Sequence, residues 1–462
     1  MPARGDHNNT DPRLDRRIGG LTATSIVVAN IVGAGIFTTS GIMAQGLPSA
    51  AWVLGCWVFG GFIAMAGALC YAELATRMPD DGAEYLYLRR LYHPVLGFLT
   101  GWTSFIVGFS APIAASAMGF SEYVFAGVDG KILGADPSQL VLWKRSAALA
   151  VVALFTLVHY AGLRVGSAVQ NLLTGLKIVI VSGLAVTGLI LGGARALPAA
   201  GTPAAGGAFD WTALGTAMML VMFAYSGWNA SAYVAGEMKN PRRNLPLSLI
   251  GGTAIVIVLY LSVNLFVFRS IPYSEVKGTI AVVEKAAIGA FGEWMGRGLS
   301  VMVGVALLSS LSAFILIGPR VYYAMARDRL FFPFAGRLHP RRHVPGWSIV
   351  VQGALAGALV VFGTFEQLLV YIGFALGIFP WLAVAGIFIA RRRKIGDAEA
   401  VRVPGYPLVP VFFLASTLVL MAVAYVNRPL ESTAAVVTVL AGIPIYLVWM
   451  RLAVPQEKRQ PR

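Results

Sequence analysis

Ile31-Val32-Gly33-Ala34-Gly35-Ile36-Phe37 and Phe223-Ala224-Tyr225-Ser226-Gly227-Trp228-Asn229 each interrupt a long apolar run at glycine, one in each half of the chain. Runs of that length and apolarity are membrane helices, and hydrocarbon cannot satisfy a free N–H or C=O group. Unwound backbone therefore survives at mid-depth only where it is buried in protein or lines a cavity. Small residues also let helices pack closely, which is the competing explanation for each break taken alone. Two breaks in matching places favour a binding site between two related halves, the arrangement of a secondary transporter.

Composition assigns the rest of the chain to the same environment. Hydrophobic residues make up 57% and charged residues 12% of the 462, whereas a soluble domain carries about 25% charged residues. The first 17 residues are polar and charged. The apolar stretch after them is too long for a signal-peptide core, so no cleavage is expected. Cys56 and Cys70 both fall in the second apolar run and offer no loop disulfide.

About twelve spans are expected, near 18–44, 48–74, 92–124, 146–163, 167–193, 211–236, 245–268, 298–325, 347–363, 367–390, 406–427 and 432–451. The fold class is thus an all-α integral membrane protein. The stretch 270–297, mixed polar and apolar, is expected to be a long loop with short surface helices, and the Ala/Gly/Pro-rich stretch 196–207 a link between halves. With the N-terminus inside, Lys and Arg in the inner loops outnumber those outside about threefold, which places both termini in the cytoplasm of a multi-pass protein of the cell (inner) membrane. The formal charge of +15 needs no nucleic-acid partner, because anionic lipid faces those loops.

Lys177 is the charged residue set deepest inside a span, in Gln170-Asn171-Leu172-Leu173-Thr174-Gly175-Leu176-Lys177. A lysine at the bilayer centre costs roughly 2.5–3.5 kcal/mol and marks an ion or substrate pathway by default, unless its stem lets it snorkel to the interface. Its ammonium could hold the carbonyls freed near Gly33, or it could release its proton. Ser309, Ser310 and Ser312 of the eighth span could accept from it or cap their own helix. His159 reads as a packing residue or a proton carrier. Glu122, Asp210, Glu237 and Glu366 fall at span ends, where charges are solvated or paired. Hydrolase, metalloprotease, dithiol and phosphate-loop motifs are absent, so no enzyme, cofactor or metal site is expected.

Asn30 to Phe37 resembles the glycine-rich first-helix signature of the amino acid–polyamine–organocation transporters. The stretch from Phe223 to Pro246, FAYSGWNASAYVAGEMKNPRRNLP, is similar to the sixth-helix signature of their L-type branch and its bacterial relatives. Tyr71-Ala72-Glu73-Leu74, Gly82-Ala83-Glu84-Tyr85, Ala326-Arg327-Asp328 and Val403-Pro404-Gly405-Tyr406-Pro407 also match family positions. The resemblance implies a five-plus-five inverted repeat, 18–193 mirrored by 211–390, then two extra helices over 406–451, with cytoplasmic tails 1–17 and 452–462. It implies a substrate site at Ile31, Val32, Gly33, Ala34, Gly35, Ile36, Phe223, Ala224, Ser226 and Gly227, and the mid-span reading above places coupling at Lys177, Ser309 and Ser310. The amides of Ala34, Gly35 and Ile36, at the positive end of a half-helix, suit a carboxylate. The carbonyls of Ile31, Phe223 and Ser226 suit an ammonium, and Phe223 stands where relatives carry an aromatic gate.

Relatives that carry bulky neutral amino acids commonly have glycine where this chain has Ser226, so a smaller pocket and small or medium neutral L-amino acids are expected. With Lys177 in place of a sodium ion, transport is expected to be sodium-independent, by exchange or proton coupling. Two alternatives stand beside this: a cationic amino acid or polyamine carrier, which the lack of a mid-span acid disfavours, and a sensor that binds without transporting. No loop cysteine is available for a covalent heavy-chain partner, and a monomer or weak homo-oligomer is expected.

Overall fold

The computed structural model describes residue 16 and residues 18–80, 82–128, 136–190, 210–327, 330–342 and 344–453. The expectations for the 196–207 link, for Asp328 and for most of both tails concern residues outside these. Among the described residues the protein is all helical, apart from one isolated bridge between Ile18 and Met238.

The first span is two helices, α1 (Gly20–Ile31) and α2 (Ala34–Gly46), separated by Val32 and Gly33 in extended conformation. α3 (Ala50–Arg77) follows, then a short α4 (Glu84–Leu91). α5 (Pro94–Thr103) and α6 (Ala111–Val128) form one span joined by a π-helical stretch, Ser104–Ser110. α7 (Pro137–Ala161) and α8 (Leu163–Ile190) complete the first half. α9 (Trp211–Tyr225) ends at the second glycine break and continues as a 3-10 segment, Ala230–Glu237. α10 (Pro241–Pro246) runs through a π turn into α11 (Gly252–Ser270), followed by short helices α12 (Tyr273–Val276) and α13 (Val282–Phe291). α14 (Glu293–Arg327), α15 (Gly346–Phe362), α16 (Phe365–Arg393), α17 (Leu408–Asn427) and α18 (Pro429–Ala453) close the chain.

Helix starts follow the local chemistry. Asp210 caps α9 by accepting from the amides of Thr212 and Ala213 at 2.8 and 3.1 Å. Thr364 and Gln367 form a reciprocal capping box at α16. Among the described residues, ten helical segments are long and apolar enough to cross a membrane. The expected sixth span is not among them because its helix stops after 15 residues. The expected ninth is the 17-residue α15. The stretch expected to carry surface helices differs in one respect: Val282, Val283, Ala286 and Ala287 of α13 are buried, and the helix packs on α14, α11, α2 and α6. An apolar face of that kind excludes a free surface position.

The two halves of the first span are covered unequally. α2 is buried along almost its whole length, whereas α1 buries only the stripe Ala23, Val27 and Ile31. The loop after α11 wraps α2: the Gly278 amide donates to Gly41 O at 2.8 Å and the Tyr273 hydroxyl to Leu47 O at 2.9 Å. Tyr123 Oη adds a bond to Phe37 O. At the opposite end, Glu73 of α3 binds Arg77 at 2.9 Å and Arg391 of α16 at 2.5 Å. It also accepts from the Val403 amide at 2.8 Å. Arg242 joins the same face to Asp397 at 2.7 Å and to Glu399.

The Glu73 clamp is a buried carboxylate whose two arginine partners reach toward solvent. Glu73→Ala removes an interaction shared by α3, α16 and the 395–403 loop, and is expected to cost about 2 kcal/mol, below the full value for breaking a buried pair because of that exposure. Thermal unfolding in detergent measures it, and an unchanged melting temperature would set the clamp's net contribution near zero.

Candidate functional site

The two breaks meet. A Cβ added at Gly35 would lie 2.5 Å from Ala224 Cβ and 2.6 Å from its Cα, so α2 and α9 touch backbone to backbone there. A Cβ at Gly227 would lie 3.0 Å from the Asn30 carbonyl carbon and oxygen, and Gly227 has φ of +99°, a conformation glycine adopts without cost. Gly33 is different: its backbone is extended and a Cβ there would have 3.6 Å to Ser310 Oγ. The geometry demands glycine at Gly35 and Gly227, and not at Gly33.

Breaking α1 frees the carbonyls at its C-terminal, negative end, and side chains from three other helices take them. Lys177 of α8, fully buried, donates to Ala29 O at 2.9 Å and to Val32 O at 2.8 Å, with Ser310 Oγ at 3.4 Å. Its stem does not snorkel. Ser310 of α14 lies 3.5 Å from Val32 O. The Tyr260 hydroxyl of α11 sits between Ile31 O at 2.7 Å and Ala224 O at 3.0 Å, joining the first break to the sixth span. Its ring packs on Tyr225 and Trp57 at centroid distances of 5.2 and 5.3 Å.

Other sequence-derived candidates are placed apart from this knot. Ser309 faces Thr174 at 3.2 Å rather than Lys177, and Ser312 faces His159 at 2.9 Å. Ser226 turns its hydroxyl back onto Phe223 O at 2.6 Å, and its amide reaches the same oxygen at 3.0 Å. Of the two oxygens read as ammonium acceptors, Ile31 O takes one donor, Tyr260, and keeps a second lone pair, whereas Phe223 O already takes two donors, both from Ser226. The N-terminus of α2 has no side-chain cap, so the first-turn amides at Ala34, Gly35 and Ile36 remain donors facing the break. Phe223 is buried.

Tyr260 was the residue missed by sequence reasoning. A tyrosine at mid-span needs a partner for its hydroxyl wherever it is buried, and that alone was a signal. Glu84 was missed as well. It stands in a matched motif, but its position in a loop gave no sign that its carboxyl is fully buried.

The sequence profile described as "Amino acid permease" matches residues 18–449. The chain belongs to that family. It is 30% identical over 441 residues to the serine/threonine exchanger SteT of Bacillus subtilis (strain 168), covering 94% of this chain and 97% of that one. It is 27% identical over 445 residues to the human b(0,+)-type amino acid transporter 1, covering 95% and 88%. The mouse Asc-type amino acid transporter 1 is 25% identical over 446 residues, covering 94% and 81%. The permease is therefore an amino acid transporter of the amino acid–polyamine–organocation superfamily, built of many membrane-spanning helices. Its relatives are transporters and not enzymes.

Removing the Lys177 ammonium leaves Ala29 O without its side-chain donor and Val32 O with only the long contact to Ser310, at about 1–3 kcal/mol for each bond lost. It also removes the cost of burying a charge, which offsets part of the loss. In this permease Lys177→Ala and Lys177→Met are expected to fold with near-wild-type melting temperatures and to lose amino acid uptake in proteoliposomes. Wild-type uptake by both variants would reduce Lys177 to a packing residue.

Proposed function

We propose that this permease is a sodium-independent exchanger of small or medium neutral L-amino acids in the cell membrane, with both termini cytoplasmic. The observation that carries the reading is the Lys177 ammonium bonded to Ala29 O and Val32 O at the break of the first span. A fixed positive charge that satisfies these carbonyls does what a bound sodium ion would do, and cannot be released. The substrate carboxylate is assigned to the amides of Ala34, Gly35 and Ile36, where the half-helix dipole favours an anion. Its ammonium is assigned to the free lone pair of Ile31 O, to Ser226 O and, where it displaces the Ser226 hydroxyl, to Phe223 O. Phe223, which is buried and precedes Ala224 at the second break, is assigned the gate that closes over the bound molecule.

The Ser226 side chain narrows the space at the second break and supports small substrates. The relative named as a serine/threonine exchanger agrees with both the size class and the exchange mode. Both cysteines are buried in α3, which supports a transporter that makes no covalent bond to a second chain.

Two measurements test the proposal. Uptake of labelled alanine or serine into proteoliposomes loaded with unlabelled substrate is expected to be unchanged when choline replaces external sodium at constant pH. A several-fold loss would overturn the role given to Lys177. Ser226→Gly is expected to improve competition by leucine relative to alanine by about tenfold, since one or two methylenes of room are worth about 1–3 kcal/mol. A wild-type protein that already prefers leucine would overturn the size argument.

A further inference from the structure

A second polar cluster lies away from the two breaks, under the 3-10 segment that continues the sixth span. Glu84 opens α4, outside the membrane-spanning helices, and its carboxyl is fully buried. Its Oε1 accepts from Tyr71 Oη of α3 at 2.7 Å and from Asn229 Nδ2, three residues beyond Ser226. The Tyr233 hydroxyl bonds the same carboxyl, and Tyr233 O accepts from the Gly82 amide at 3.1 Å. One carboxyl thus ties α3, α4 and the sixth span together.

No cation balances it among the described residues. On α3, Glu73 is bound to Arg77 and, across to α16, to Arg391. On α4 itself, Arg90 is bound to Asp80 and Arg89 lies over the Tyr85 ring. Beyond the 3-10 segment, Arg242 is bound to Asp397 and Glu399. His93, at the start of α5, is exposed and caps its own helix. The donors that do reach Glu84, from Tyr71, Asn229 and Tyr233, are all neutral.

Two atoms of the cluster are left over. Glu84 Oε2 and Tyr87 Oη are buried and without a hydrogen-bond partner. At positions i and i+3 they stand on one face of α4. A proton on Oε2 would make it a donor where the Tyr87 oxygen offers an acceptor, so both atoms would be satisfied by a single proton. Burial also pushes the Glu84 carboxyl above the usual carboxylate range, against hydrogen bonds from Tyr233, Tyr71 and Asn229 that pull it down.

We infer that Glu84 is a protonated positioning residue, whose neutral carboxyl holds the Asn229–Tyr233 stretch of the sixth span against α3 and α4, so that proton binding is linked to the state of the second broken helix. The proton comes from bulk water and returns to it, and no bond other than O–H is made or broken. The sign follows from linkage. A carboxyl held above its unfolded value stabilises the docked form fully below the unfolded pKa. It loses that contribution as pH rises through the raised value.

The test compares the full-length protein with Glu84→Gln, which is always neutral and can donate to Tyr87. Infrared difference spectra of wild type minus Glu84→Gln near pH 7 are expected to show the C=O stretch of a protonated carboxyl. Between about pH 5 and about pH 8, the wild-type melting temperature is expected to fall by about 2 °C relative to Glu84→Gln. Amino acid exchange is expected to vary with pH in the wild type and to be flat in the variant. A carboxylate band in place of the C=O stretch, or parallel melting and exchange profiles, would overturn the inference. If Glu84→Gln does not fold, Tyr87→Phe, which removes the acceptor of the added proton, is expected to reduce the same slope, and an unchanged slope would overturn it. The exchange arm rests on the proposed function. The infrared and melting arms do not, so failure of every substrate to exchange would count against that reading and leave the protonation of Glu84 to be decided by the other two.

Discussion

Every freed carbonyl at the first break has to find a donor in a place that hydrocarbon keeps dry, and that requirement organises the rest of the molecule. The donors come from three different helices: Lys177 from α8, Ser310 from α14 and Tyr260 from α11. Because Tyr260 also bonds Ala224 O, the carbonyls of the two broken spans share one hydroxyl. A phenol has a single proton to give, so its two acceptors compete, and a ligand ammonium arriving at Ile31 O would redistribute that bond. The site is therefore coupled internally before any substrate enters. A shift of α1 relative to α8 breaks two charge-assisted bonds at once, each roughly twice as strong as a neutral one.

Coverage of the two half-helices gives this knot a direction. α2 is held by Tyr123, Tyr273 and the Gly278 amide, while α1 is buried along one stripe. An element with fewer buried contacts opens at lower free energy, so the α1 end is the freer one in this conformation. The clamps at that end bypass α1: Glu73 joins α3 to α16, and Arg242 joins the start of α10 to the 397–399 loop. What ties α1 there is backbone pairing between Ile18 and the end of the 3-10 segment, with Ile18 N to Glu237 O at 2.9 Å and Lys239 N to Ile18 O at 2.8 Å. The first and sixth spans are thus joined at both their breaks and their ends, and any movement of α1 is felt by the stretch that Glu84 holds.

Much of this was legible from residue types alone. Glycines at matching places in the two halves located the breaks, because two such interruptions together favour a site over close packing alone, and a lone buried lysine pointed to the carbonyls near Gly33. Legibility failed where function depends on which way a side chain points. Three serines on α14 are alike in sequence, but the helix turns Ser310 to Lys177, Ser309 to Thr174 and Ser312 to His159. Gly33 reads as the centre of the signature, but the steric demand falls on Gly35 and Gly227. Glu84 and Glu73 lie within matched motifs, and only packing shows that one is neutralised by arginines while the other has tyrosines and an amide for company.

A cation fixed to the chain and a cation taken from solution do the same electrostatic work and have different energetic consequences. A sodium ion that completes the first break binds and leaves with each cycle, so its gradient can drive uphill movement through its differential affinity for the two conformations. On the proposed reading, Lys177 keeps its charge at the break as part of the chain and, while protonated, carries no gradient with it. A transporter built on such a lysine must be driven by its counter-substrate or by a proton, and exchange needs only the substrate site itself. The Glu84 carboxyl, surrounded by neutral donors beyond the second break, is the place where the inferred mobile cation, the proton, biases the two states. On the two proposals taken together, two ionisable groups, one at each broken span, divide the labour: Lys177 maintains the shape of the site, and Glu84 sets how firmly the sixth span is held beneath it.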